Sequence, residues 1–177
     1  INAGTGNIVL NIAAGGIYLS STLVDDITGN LLTLQTTGSV DIDSNISTLV
    51  ANITGSQSSL TVNEQSSLVI GSGNVTTNNG NISLNLSAGG ITGTGTITGN
   101  ILNVTANTTS SLNTNITTLE ALINDSGESL TVNETNSLVI GSGNVTTNDG
   151  NISINLATGS LAVTGAINAG IAGNVSL

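Results

Sequence analysis

The sequence predicts an all-β protein, a right-handed parallel β-helix (β-solenoid) of roughly nine coils with about 20 residues in each. Three observations predict it. A long segment repeats almost unchanged: residues 60–87 and 130–157 are identical at 23 of 28 positions, at an offset of 70. Apolar residues alternate with polar ones in short runs, the pattern of strands with one buried face. The residue palette is that of strands and turns, with Val, Ile and Thr for the former and Gly and Asn for the latter.

The strands follow in order. Ile8, Leu10 and Ile12 alternate, as do Leu32 and Leu34, Val40 and Ile42, and Leu60 and Val62. The same beat returns at Ile82, Leu84 and Leu86 and at Ile152, Ile154 and Leu156. Each run is short and ends at Gly, Asn, Ser or Asp, which are turn formers. Gly-Asn precedes a strand-like segment at Asn7, Asn30, Asn74, Asn81, Asn100, Asn144, Asn151 and Asn174, and several of the intervals are 19 or 23 residues. That beat is the length of one solenoid coil. Residues 116–123 have some helical character, with Ile116 and Leu119 three apart. The aligned stretch 46–53 is less helical, and a repeat places both in one structural slot, so both are read as strand. Ile1-Asn2-Ala3-Gly4 recurs as Ile167-Asn168-Ala169-Gly170. The chain thus starts and stops in nearly the same phase, as an uncapped excerpt of a longer array does. Residues 1–177 are read as a single solenoid region with no separate domains.

A coil with two or three short strands cannot bury its apolar face alone. Stacking coils in register makes a continuous aliphatic column and pairs each backbone group with the coil above and below. At about 4.8 Å per coil, nine coils make a rod near 40 Å long. The absence of Pro suits ladders in which every N–H is needed. Asn in Gly-Asn corners tolerates the left-handed conformation, and Asn stacked in successive coils can form an amide ladder.

Charge removes several classes of function. The net charge is −10, with no Lys, Arg or His. Nucleic-acid binding needs cations against phosphates, and adsorption to anionic lipid needs a polybasic patch; both are excluded. No apolar run reaches the roughly 18 residues of a membrane helix. Absent Cys excludes disulfides and thiolate metal sites. No basic residue, thiol or imidazole is available for catalysis, so the expectation is not an enzyme, with no catalytic, cofactor-binding or metal residues and no cofactor.

Few acidic residues are placed to act against that expectation. Asp25 and Asp26 are adjacent, so on a strand they face opposite sides. Asp41 and Asp43 share a face and could hold calcium weakly. Their counterparts 70 residues on are Ser111 and Asn113, so the pair is not a repeat feature, and a solvated edge is favoured. Asp149 replaces Asn79 in a preserved loop and reads as a neutral turn swap. Glu64 and Glu134 both follow Leu-Thr-Val-Asn and are expected at an exposed turn. Asn-x-Ser/Thr occurs 13 times, as composition alone would produce. Thr92, Thr94, Thr96 and Thr98 cluster in one loop-like stretch rather than in a column.

The motifs Gly-Asn-Ile-x-Leu-Asn (80–85 and 150–155), Ala-Gly-Gly-Ile (14–17 and 88–91) and Gly-Ala-Ile-Asn-Ala-Gly (165–170) resemble the repeat shaft of filamentous-haemagglutinin-like large exoproteins. These are bacterial adhesins built as long right-handed parallel β-helices. The resemblance implies secretion, an extracellular or cell-surface location on a bacterium, and extension away from the cell.

The expected function is therefore the structural shaft of a secreted or cell-surface fibrous adhesin, a rigid and protease-resistant rod. One alternative is a self-associating extracellular filament, matrix or sheath subunit. A further alternative is a solenoid with a flat face for ice or polysaccharide. Expected partners are neighbouring repeats of the same chain and identical chains in a fibre. A receptor or glycan on a host or cell surface would be reached through other regions. No nucleic acid and no membrane insertion are expected.

Overall fold

The structure is a computed structural model and describes residues 1–19 and 26–177. Among the described residues the strands form one 16-stranded sheet, parallel at every pairing, wound into a β-solenoid without a helix. The stretch 116–123 lies within the strand Ser110–Ser126. The threonines at 92–98 lie on or between the strands Ile91–Gly93 and Thr96–Ala106, not in the loop expected for them.

Two ladders run up the rod. In the first, successive Cα partners are Ile17, Val40, Leu60, Ile82, Leu102, Leu119, Ile140 and Val163. The second runs from Ile8 through Leu32, Leu49 and Ile70 to Gly93, and continues through Leu112, Val132 and Ile154. The Ile91 N–H donates to Ser110 Oγ at 3.0 Å where that ladder passes from one segment to the next.

The steps of the first ladder are 23, 20, 22, 20, 17, 21 and 23 residues. The solenoid therefore has about seven turns, not nine. Its coils match the Gly-Asn beat, and the count is lower because the segments outside residues 17–163 fill only parts of turns.

Alternation builds the core. Inward positions are occupied by Leu, Ile, Val and Ala that exclude solvent almost completely, among them Ile42, Leu49, Leu60, Leu84, Leu119 and Ile140. Each fully buried aliphatic side chain contributes roughly 1.5–3 kcal/mol.

The long repeat and the coil are out of step. Three steps carry Leu60 to Leu119, and residue 130 lies about half a coil further on. Leu60–Glu64 therefore stands in the first ladder and Leu130–Glu134 in the second. Ile70 and Ile140 exchange ladders in the opposite sense. Seventy residues span about three and a half coils, so each repeat is turned by half a revolution and raised by about 17 Å. The rod has an internal twofold screw.

Each repeat also interrupts its register twice, and the larger interruption is a four-residue bulge. Residues 71–74 are looped out opposite Val50, and residues 141–144 opposite Glu120. Asn74 and Asn144 close these loops in the left-handed conformation, at φ 68° and 67°, which Asn adopts more readily than other non-glycine residues. Their side chains then cap the next coil. Asn74 Oδ1 accepts from the Thr96 N–H at 2.9 Å, and Asn144 Oδ1 from the Ala166 N–H at 2.8 Å.

Candidate functional site

The structure overturns the expectation for the two repeated glutamates. Glu64 and Glu134 are each 1% exposed. The alternation already implied this: Glu64 continues the phase of Leu60 and Val62, and its partner one coil up is Leu86. Such a group is tolerated inside only when hydrogen bonds replace its water.

Those bonds are supplied by the corner. Glu64 accepts from Ser44 Oγ at 2.8 Å and from the Ile46 N–H at 3.0 and 3.2 Å. The Ser66 N–H and Ser66 Oγ each donate to it at 3.1 Å. Glu134 accepts from the Ile116 N–H at 3.2 Å, the Thr135 N–H at 2.9 Å and the Asn136 N–H at 3.1 Å. Each carboxylate thus ties a corner of its own coil to the coil below. Burial pushes the Glu64 carboxyl above its ordinary value, and the bonds from Ser44, Ile46 and Ser66 partly offset that rise. The two sites stand in different ladders and are built as structural hubs.

Amide ladders cover the outer surface. Asn63 Nδ2 donates to Asp43 Oδ1 at 2.8 Å, and Asn85 Nδ2 to Asn63 Oδ1 at 2.9 Å. The screw-related ladder joins Asn133 to Asn113 at 3.2 Å and Asn155 to Asn133 at 3.1 Å. The Gly-Asn corners also pair: Asn30 with Asn7, Asn100 with Asn81, and Asn174 with Asn151, at 3.2–3.4 Å.

The remaining acids are dispersed. Asp41 and Asp43 do share a face, and both are half-buried rather than fully solvated. Asp43 heads the amide ladder. Among the described residues no three acidic side chains gather into a cation site. Asp25 lies outside the described residues. Asp149 keeps the turn of Asn79 (φ 65° against 61°). It adds a cap absent at Asn79, since its Oδ1 accepts from the Ile171 N–H at 2.6 Å.

The two edges differ in charge. Where the chain crosses from the first ladder to the second, Asp125 and Glu128 share one corner and Asp149 stands at the next. Thr109 donates both its N–H and its hydroxyl to Glu128, which holds that carboxyl below its ordinary value. On the return edge, two open concavities are lined by amides and hydroxyls, with no carboxylate. Outward residues of the first ladder run Asp41, Thr61, Ser83, Asn103 from coil to coil, so threonine forms no continuous column there.

Fold and surface together define a β-solenoid repeat rod, knit by inward aliphatics and outward amides. Comparison with family models, with curated proteins and with solved structures finds no match.

Proposed function

We propose that this chain is the structural shaft of a secreted or cell-surface fibrous protein of the filamentous-haemagglutinin-like kind. The observation that carries the proposal is the unbroken parallel pairing from Ile17 to Val163, which makes each coil the template for the next. A rod of this construction has paired strands along its length and no Lys or Arg for trypsin to cut. Rigidity and resistance to proteolysis suit a spacer that holds other regions away from a bacterial surface.

Electron microscopy of the native full-length protein, with digestion by a protease of broad specificity, tests this. The expected result is thin single rods that survive digestion for much longer than an unfolded control. Compact particles, or rapid cleavage throughout 26–177, would remove the proposal.

The twofold screw favours a second reading, a self-associating filament or matrix subunit. Similar surfaces on opposite faces allow a rod to meet neighbours on both sides. Laterally packed rods in the same micrographs would support it over the single shaft.

A further inference from the structure

We propose that the amide-lined edge of the rod is a binding trench for a neutral, hydroxyl-rich polysaccharide lying parallel to the rod axis. This goes beyond the shaft reading, in which ligands are met elsewhere, and does not depend on it.

The trench is made of two adjoining concavities. Gln57, Ser59, Asn81 and Asn100 line one, Thr98, Asn115 and Asn136 line the other, and Asn79 belongs to both. All lie where the chain returns from the second ladder to the first, at successive corners from 57 to 137. Four coil steps make this about 19 Å of continuous polar edge.

The chemistry of the lining selects the ligand. A side-chain amide offers two donor hydrogens and an acceptor oxygen, and a sugar hydroxyl both gives and takes a hydrogen bond. Asn100 donates to Asn81 at 3.2 Å, and Asn136 to Asn115 at 2.7 Å. Each of these bonds uses one donor and one acceptor and leaves the rest of the pair for a ligand. The side chains of Gln57 and Asn79 make no hydrogen bond among the described residues. The one aliphatic in the lining, Ile116, is buried, so an apolar ligand gains nothing. Polyanionic glycans are repelled by a chain of net charge −10. Neutral polyhydroxyl chains remain.

The screw supplies an internal control. Seventy residues on, Gln57, Ser58 and Asn79 become Gly127, Glu128 and Asp149 on the opposite, acidic edge. Gln57 and Asn79 have φ of 58° and 61°. Glycine takes that conformation without strain, and the corner already accepts it at Gly127, where φ is 80°. Gln57→Gly/Asn79→Gly therefore removes two free amides and keeps the backbone.

Native affinity electrophoresis of the folded chain tests the proposal, with gels containing a neutral polysaccharide (hydroxyethyl cellulose or dextran) or an anionic one (carboxymethyl cellulose), each referred to a plain gel. The expected result is retardation by at least one neutral polymer and none by the anionic one. The double variant should bind about tenfold more weakly, as loss of two hydrogen-bonding groups implies, and Glu128→Ser on the opposite edge should bind as the parent does. Circular dichroism confirms that the variants keep their strands. Absence of retardation by both neutral polymers overturns the proposal, as does undiminished retardation of a folded double variant or equal loss in Glu128→Ser. A rod seen by microscopy that fails here leaves the shaft reading standing.

Discussion

Residues 60–87 and 130–157 are nearly the same sequence on opposite faces of one rod. They differ at five positions. Four of these, 65/135, 66/136, 79/149 and 87/157, are on the outside. The fifth exchanges Leu84 for Ile154, both fully buried, with volume preserved. The core thus limits change to an isosteric swap, while the surface changes size and polarity and, at 79/149, charge. Just before each segment the contrast is sharper. The glycine loop 71–73 lies on Val50, and its twin 141–143 lies on Glu120. One backbone slot accommodates an aliphatic in one copy and a carboxylate in the other.

The largest effect is expected at the feature the copies share. Glu64→Ala leaves the Ile46 and Ser66 N–H groups without their acceptor, and Glu134→Ala does the same at Ile116 and Asn136. Each orphaned buried donor costs about 1–3 kcal/mol, so each variant should lose several kcal/mol in urea unfolding. A loss in one and not the other would break the equivalence of the two faces.

The glycine loops should separate the copies. A Cβ at Gly73 would stand 2.7 Å from a Val50 methyl, which a β-branched side chain cannot move away. At Gly143 it would meet the Glu120 carboxylate, the far end of a flexible chain. Gly73→Ala should cost about 1–3 kcal/mol through overpacking, and Gly143→Ala clearly less. Equal melting shifts would show that Val50 and Glu120 yield alike.

A smaller effect comes from proton linkage. Burial raises the Glu64 carboxyl above its ordinary value near 4.5, so the folded chain binds the proton more tightly than the unfolded one. The contribution is fully present below that ordinary value and is lost as pH rises through the folded value. Stability measured across that window should fall with rising pH, and Glu64→Gln should flatten this component of the slope. An unchanged slope would sink the assignment to Glu64.

The smallest effect is expected from copying one face onto the other. Gly143 N–H donates to Glu120 Oε1 at 3.0 Å, whereas Val50 offers the Gly73 N–H no acceptor. Val50→Glu should change stability by no more than about 0.5 kcal/mol, as surface substitutions generally do. The diagnostic is slowed amide exchange at Gly73.

Much of the core was readable from the chain. Alternation alone places Leu60, Val62 and Leu84 inward, and the repeat partner 46–53 marks 116–123 as strand. Glu64 and Glu134 carry the charge of an exposed turn but the phase of the core, and the phase prevails. Four donors converge on Glu64 from Ser44, Ile46 and Ser66, and they come from two different coils. The amide trench was equally hidden, since Gln57, Asn79 and Asn136 are far apart in sequence and meet only through stacking.

The amino-acid order by itself determined which residues face inward, because side chains alternate with period 2 whatever the chain does next. The dipeptide Gly-Asn marks Asn74 and Asn144 as able to take the left-handed conformation, though six other Gly-Asn sites do not take it. Only the tertiary structure decided that 70 residues make three and a half coils. Coil length is the sum of strands, corners and bulges, and it is fixed when each coil closes on the one beneath. That closure put the two copies on opposite faces, made one edge acidic and the other neutral, and enclosed two glutamates among the donors that allow them to be buried.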